Sequence, residues 1–533
     1  MTLSYSNPSL SEMASDDESR ASRSGGGGHS DNCIAGRAVQ GIGGSGLYSL
    51  AQVCLVEQGP SRPEVVGALV GITLSVSFVL GPLLGGAIAE WNWRGIFWFN
   101  VPFGILAVLG IYTFWSSDRR YHHDPQSYNP STGAAAHPMA RIDLLGNLLL
   151  AAGSILLVLA MQQAGSLVWA WSSPAVIASL SAAGACWILL VLWEWYLFSR
   201  SSPTPGGVMI QQQQPVFPVK LAKDRVYMSC LVVTLLAGFI YIALLIKLPE
   251  CLQIARGDSA LQAGVHLLPM LGGCALGSFL GGALSKRSNL TCQTLCAGST
   301  LQVAGLALVY GFGFKPGFYS SSSYQPWTPD GPNPKDLLDL PSLLGFTAVY
   351  GLGVGLSFAA CTMIAAVEAQ SDELAAAQGA VAQARVLGGA IGLAACTILA
   401  GERLKAEFAG YGPMIMEILL GINSSGGEEG TGVGAGGTVS DELRQLTAAR
   451  GGELPEGLRR HVTQVYLDAF GEQVLLLLAV AGVALMLSLG TYRRRPGHVV
   501  QVMMQHKGLA GRAAGSRDDV ELCSVSSVRS LAR

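Results

Sequence analysis

Eleven apolar runs, each long enough to cross a bilayer, leave this chain little to become except a bundle of membrane-embedded helices. They lie at residues 33–56, 65–89, 95–115, 142–163, 174–198, 227–248, 263–284, 291–313, 341–367, 375–400 and 473–492. A spanning helix needs about 20 mostly apolar residues. In hydrocarbon every backbone N–H and C=O must be bonded inside the protein, which a helix achieves and an open strand does not. Only 13% of the 533 residues are charged and half are hydrophobic, against about 25% charged in a soluble domain. The expected fold is therefore all-α and polytopic.

The segments between the runs are polar. A Ser/Gly-rich amino tail, 1–32, has no apolar core and is expected to be disordered rather than a signal peptide. Connectors fall at 116–141, 199–226 and 314–340, and a long loop at 401–472 holds a Gly/Glu-rich tract from Ser424 to Gly437. A basic tail, 493–533, closes the chain. With a net charge of −2, a nucleic-acid partner has no electrostatic support. Most cysteines, Cys54, Cys186, Cys230 and Cys361 among them, sit in apolar runs and read as small hydrophobes. Cys292 and Cys296 share one helix face, a spacing that suits helix packing better than a thiol pair. No histidine spacing suggests a metal, and no cofactor is expected.

Basic residues orient such a bundle, because cytoplasmic loops carry more of them. Loops after the odd-numbered spans hold ten Lys and Arg, and short segments on the other side hold six with the amino tail included. The tail after the last span adds eight, beginning with Arg493, Arg494 and Arg495. The carboxyl tail is expected in the cytoplasm. In that topology the sequon at Asn423 faces outward and the one at Asn289 does not.

Ser77–Glu90 carries a Gly-Pro pair, Gly81 and Pro82, then Gly85 and Gly86 one turn later. In water Gly costs about 1 kcal/mol and Pro about 3 kcal/mol inside a helix. In lipid the helix is kept, neighbours absorb the kink, and the missing side chains admit a second helix closely.

Several stretches resemble the major facilitator superfamily, in particular the fourteen-span drug:proton antiporter branch found in fungal efflux pumps. They are GRAVQGIGGSG at 36–46, GPLLGG at 81–86, WRGIFWFNVPFG at 93–104, RIDLLGNLLL at 141–150, AGVHLLPMLGG at 263–273 and AAAQGAVAQARVLGGAIG at 375–392. The resemblance runs from about Cys33 to Arg495. It implies alternating access between helical bundles, with substrate held near the membrane midplane. It places the first span here at the family's fourth, so three spans are expected to be missing, through a shortened gene model, an alternative start or a degenerate copy.

The resemblance assigns Arg37, one turn inside the first span, to proton coupling or gating, with Gln40 beside it; snorkelling to the surface is the alternative. Gly41 and Gly44 belong to the same motif, and no Lys-Ser/Thr follows to make a phosphate cradle. Gly81, Pro82, Gly85 and Gly86 match the motif held to control bending and leak. Arg385, ten residues into the tenth span, is a pathway or gate candidate whose partner must come from another helix, a carbonyl or the substrate. Asn100, beside Pro102, either lines a cavity or bonds between helices. Glycines 272, 273, 277, 281 and 282 read as packing, and Trp91, Trp93, Trp98 and Phe99 as an interfacial belt.

The runs as drawn hold no carboxylate near mid-span: Asp143, Glu194, Glu368 and Glu472 lie at ends. Proton coupling, which needs a group that titrates inside the membrane, is implied by the resemblance alone. The expected function is export of small, fairly apolar organic molecules from a plasma or vacuolar membrane, without covalent chemistry. The alternatives are a truncated, non-transporting membrane protein and an uncoupled facilitator.

Overall fold

A computed structural model describes residues 35–44, 83–88, 95–114, 143–165, 169–200, 216–217, 221–284, 290–313, 338–369, 373–408 and 456–493, with a few isolated positions between 46 and 81. The tails 1–32 and 494–533, Pro82, Lys286, Arg287, Asn289, Trp91, Trp93, Asn423 and most of the first two expected spans lie outside the described residues. Helical turns occupy 35–44 and 83–88. Ten helices follow: α1 Gly95–Phe114, α2 Leu144–Gly165, α3 Pro174–Arg200, α4 Arg225–Arg256 and α5 Ala260–His266, then α6 Leu268–Leu284, α7 Thr291–Phe312, α8 Leu340–Glu368, α9 Leu374–Phe408 and α10 Glu456–Ser488. Among the described residues, nine segments are long and apolar enough to cross a membrane, with α5 and α6 forming one of them. The protein is an all-helical, multi-pass membrane protein.

Helices α4 to α10 form one bundle. Within it α8 lies between α6 and α7, α9 lies against α4, and α10 packs on α4 and α7. The α2–α3 hairpin joins through α2, which rests on α9. Glycine makes these contacts close. A Cβ built on Gly273 or Gly277 of α6 would fall 2.3 or 2.2 Å from the carbonyl oxygens of Ala348 and Leu352 on α8. The seam is reciprocal: Cβ atoms built on Gly351 and Gly355 of α8 would fall 2.0 and 2.1 Å from the carbonyl oxygens of Met270 and Cys274. Lipid tails are as apolar as leucine, so such close packing rather than hydrophobic exclusion drives association within a bilayer.

Three helices run differently from the apolar runs. Helix α4 has 32 residues, opened by Asp224, whose carboxylate accepts from the Val226 N–H at 2.7 Å, and closed by Gly257 at φ 72°. It continues through Pro249 for two turns beyond the expected end at residue 248. Helix α10 starts at Glu456, inside the stretch expected as the loop 401–472. Its early turns bury Val465, Tyr466, Leu467, Ala469 and Phe470 in the core, so an amphipathic pattern carries the helix past the apolar window. The run 263–284 is split at Leu267 into α5 and α6, because Pro269 has no N–H for the carbonyl one turn before it, that of Val265.

Candidate functional site

The α4–α9 seam is built on backbone contact. Cβ atoms placed on Gly388 and Gly392 of α9 would lie 2.0 and 2.2 Å from the carbonyl oxygens of Leu235 and Phe239 on α4. In return Gly238 of α4 sits under the carbonyl of Arg385, 2.1 Å from where a Cβ would be. Tyr227 donates its hydroxyl to Ala377 O at 3.1 Å, and Gln378 donates to Thr362 O at 3.0 Å, fixing the first turns of α9 to α4 and α8.

This frame holds Arg385, 6% exposed, with its guanidinium 4.0 Å above the ring of Phe358 on α8. Tyr241 of α4 meets Phe358 edge-on at 5.5 Å. An arginine within a span costs a few kcal/mol on insertion scales, and a desolvated cation over an aromatic face recovers up to about 2 kcal/mol. Another helix therefore supplies a partner, as an aromatic ring. Cys230 of α4 donates to Cys361 O on α8 at 3.5 Å one layer away, packed with Val233, Leu295 and Ile364.

The other sequence candidates lie apart from Arg385. Arg37 is exposed, donates to Gln40 Oε1 at 3.0 Å and stands 5.9 Å over the ring of Phe97 in α1. Asn100 is exposed and donates to Ile96 O, 3.2 Å away in its own helix. Gly41, Gly44, Gly81 and Gly85 have open space where a Cβ would sit. Gly86 instead meets α5: its Cβ would lie 3.0 Å from Ala260 O and 3.1 Å from the Leu261 Cα.

Two carboxylates inside the spans, Glu250 and Asp468, fell outside the apolar windows. In α4, Lys247 Nζ lies 3.0 Å from Glu250 Oε2, with the two side chains 5% and 12% exposed. Asp468 lies within α10, beside Arg403, Glu407 and Glu472. Both carboxylates lie toward the ends of their spans, Arg225–Arg256 and Thr463–Thr491, rather than near mid-span. At 1.5 Å per residue Glu250 stands about 14 Å beyond the midpoint of α4, just inside a hydrocarbon half-thickness of about 15 Å. The signal was present as Lys-Leu-Pro-Glu followed by more apolar residues: the apolar run 227–248 takes in Lys247 and stops before Pro249 and Glu250.

Polar clasps hold the opposite helix ends. Trp193 donates to both oxygens of Asp143 at 3.0 Å, and Glu194 accepts from the N–H groups of Val216 and Phe217. Arg493 contacts Glu368 and lies 3.4 Å from Asp224 Oδ2, while Arg225 donates to Tyr492 O at 2.9 Å. A cavity of about 190 Å³ opens there, lined in part by Cys292, Gln293, Glu368 and Arg493.

Residues 29–169 match the family model described as Major Facilitator Superfamily. Over 408 residues the chain is 32% identical to the MFS-type transporter FPY5 of Fusarium mangiferae, covering 74% of this chain and 61% of that protein. It is 26% identical over 394 residues to the MFS-type transporter thnB of Trichoderma harzianum, covering 74% and 60%. A dehydrocurvularin exporter of Alternaria cinerariae is 26% identical over 408 residues, again covering 74% and 60%. The chain therefore spans about three-fifths of the length of these curated relatives. Its matched sequence and its helical, multi-pass architecture agree: residues 29–169 are similar to the Major Facilitator Superfamily, and the chain is similar to proteins named as fungal transporters and exporters.

Proposed function

We propose that this protein is a carrier that exports small, fairly apolar organic molecules by alternating access, drawing on a proton gradient. The observation that carries the reading is the buried Arg385, held on Phe358 by a seam in which two helices touch backbone to backbone. A buried cation persists in a span where the surrounding structure determines it, and such groups mark transport pathways. The relatives named as transporters and an exporter support the same direction. The charge count supports a carboxyl tail in the cytoplasm, of either a plasma or a vacuolar membrane. In that arrangement a glycosidase shift is expected at Asn423 and not at Asn289; the reverse overturns the topology.

The test is efflux from cells expressing the full chain and preloaded with dehydrocurvularin, the compound named for the Alternaria relative. Efflux is expected to exceed that of vector-only cells severalfold and to fall to their level once a protonophore collapses the pH gradient. Arg385→Ala is expected to reduce the rate by about tenfold, equivalent to about 1.4 kcal/mol. Retention equal to that of vector-only cells would favour a non-transporting membrane protein. Efflux indifferent to the protonophore would identify a facilitator.

A further inference from the structure

Cys292 and Cys296 take no part in the glycine seams. They lie near the start of α7, one turn apart and therefore on one face of it. That face meets the end of α10. Ser488 Oγ lies 3.4 Å from Cys296 Sγ, and the Thr491 hydroxyl is hydrogen-bonded to Cys292, whose thiol also bonds to that of Cys296. The two hydroxyls are fixed in turn, because Ser488 donates to Leu485 O and Thr491 to Ser488 O, both at 2.7 Å. Both thiols are half-buried, whereas the cysteines described in α4, α6, α8 and α9 are buried. The cavity of about 190 Å³ opens beside them and gives access, with Thr291, Gln293, Glu368, Thr491 and Arg493 in its wall next to Cys292.

We propose that Cys292 and Cys296 form a two-coordinate site for a soft monovalent metal ion, Cu(I) or Ag(I). The site is independent of the carrier reading. A disulfide does not fit the pair: Cβ atoms at this helical spacing stand about 5–6 Å apart, against about 3.5–4.5 Å across a disulfide. A metal ion between the sulfurs spans the wider gap without unwinding the turn. Zinc in a structural site takes four ligands. Among the described residues no group of three or more His, Cys, Asp or Glu could hold a metal ion, and Glu368 is engaged by Arg493. Two thiolates alone suit a soft ion that accepts two ligands. Binding releases both thiol protons to water, so two thiolates and one monovalent ion carry a net charge of −1. That charge falls at the amino end of α7, where Leu290 supplies no side-chain cap, and across the cavity from Arg493. Ser488 and Thr491 are the positioning residues, holding the sulfurs from the second helix.

The experiment offers Cu(I), as a coloured chelator complex under nitrogen, to the reduced full chain in lipid nanodiscs. Uptake is read from the loss of colour. Wild type is expected to take up about one ion per chain more than Cys292→Ser or Cys296→Ser. Cys361→Ser, which removes a thiol of the buried Cys230–Cys361 contact between α4 and α8, is expected to keep that uptake. Thr491→Val is expected to weaken the affinity about tenfold. Copper absorption spectroscopy on wild type is expected to show two sulfur neighbours, a readout that needs no variant to fold. Cu(I) is also expected to raise the thermal midpoint of wild type and leave that of Cys292→Ser where it was. Equal uptake by wild type and both serine variants, loss caused by Cys361→Ser instead, or a copper site without sulfur overturns the proposal.

Discussion

Gly388→Ala is expected to yield almost no folded protein, although it adds a single methyl group to a helix. The new Cβ would lie 2.0 Å from the Leu235 carbonyl oxygen and 2.8 Å from its carbon. Both belong to backbone, which cannot turn aside as a side chain can, so α4 and α9 would have to separate by about an ångström or more. That separation would also loosen Gly392 on Phe239 and Gly238 on Arg385, since one seam holds all three. Interiors packed at crystal-like density do not take up such strain locally. The cost is expected to exceed about 4 kcal/mol, the range in which single substitutions become exceptional. Gly379→Ala, on the same helix with open space around its Cβ position, is the matched control. It is expected to be neutral or to stabilise by up to about 1 kcal/mol, the difference in helix propensity. Monodisperse yield from membranes and the midpoint of thermal unfolding distinguish the two. Similar values for both variants would mean that the seam is not as close as described.

Much of the architecture was legible in residue order because the bilayer allows so few solutions. Long apolar runs predicted helices, and the glycine repeat of 272–282 predicted packing, which the contacts of Gly273 and Gly277 with α8 display. Less legible were features that depend on distant chain segments. The partner of Arg385 is a ring 27 positions earlier on another helix, and a ring has no charge by which a reader could pair it. The contact of Gly86 with Ala260 joins segments more than 170 residues apart. The pair of Lys247 with Glu250 was hidden for a different reason. The apolar run stops at residue 248, before Pro249 and Glu250, whereas two opposite charges one helical turn apart satisfy each other and let the helix continue. Asp468 escaped likewise, because α10 buries one face of a stretch that is polar on average.

Removing Lys247 or Glu250 alone is expected to cost more stability than removing both. Lys247→Met would leave a carboxylate buried with neither of its oxygens satisfied, since Oε1 already has no partner and Oε2 faces the lysine. Breaking a buried pair from one side typically costs about 3–5 kcal/mol, because the remaining charge is uncompensated. Glu250→Met would strand the ammonium in the same way. The double variant Lys247→Met/Glu250→Met keeps side-chain volume close to the original and removes both desolvation penalties. Such replacements are often neutral, or stabilising by about 1–4 kcal/mol. The interaction energy of the cycle, measured by unfolding in detergent or nanodiscs, should therefore be large while the double variant stays close to wild type in stability. A pair kept for stability alone would show the opposite ranking, with the double variant the worst of the three. Near-additive single effects below about 0.5 kcal/mol would mean that water reaches both groups, as it does for exposed ion pairs.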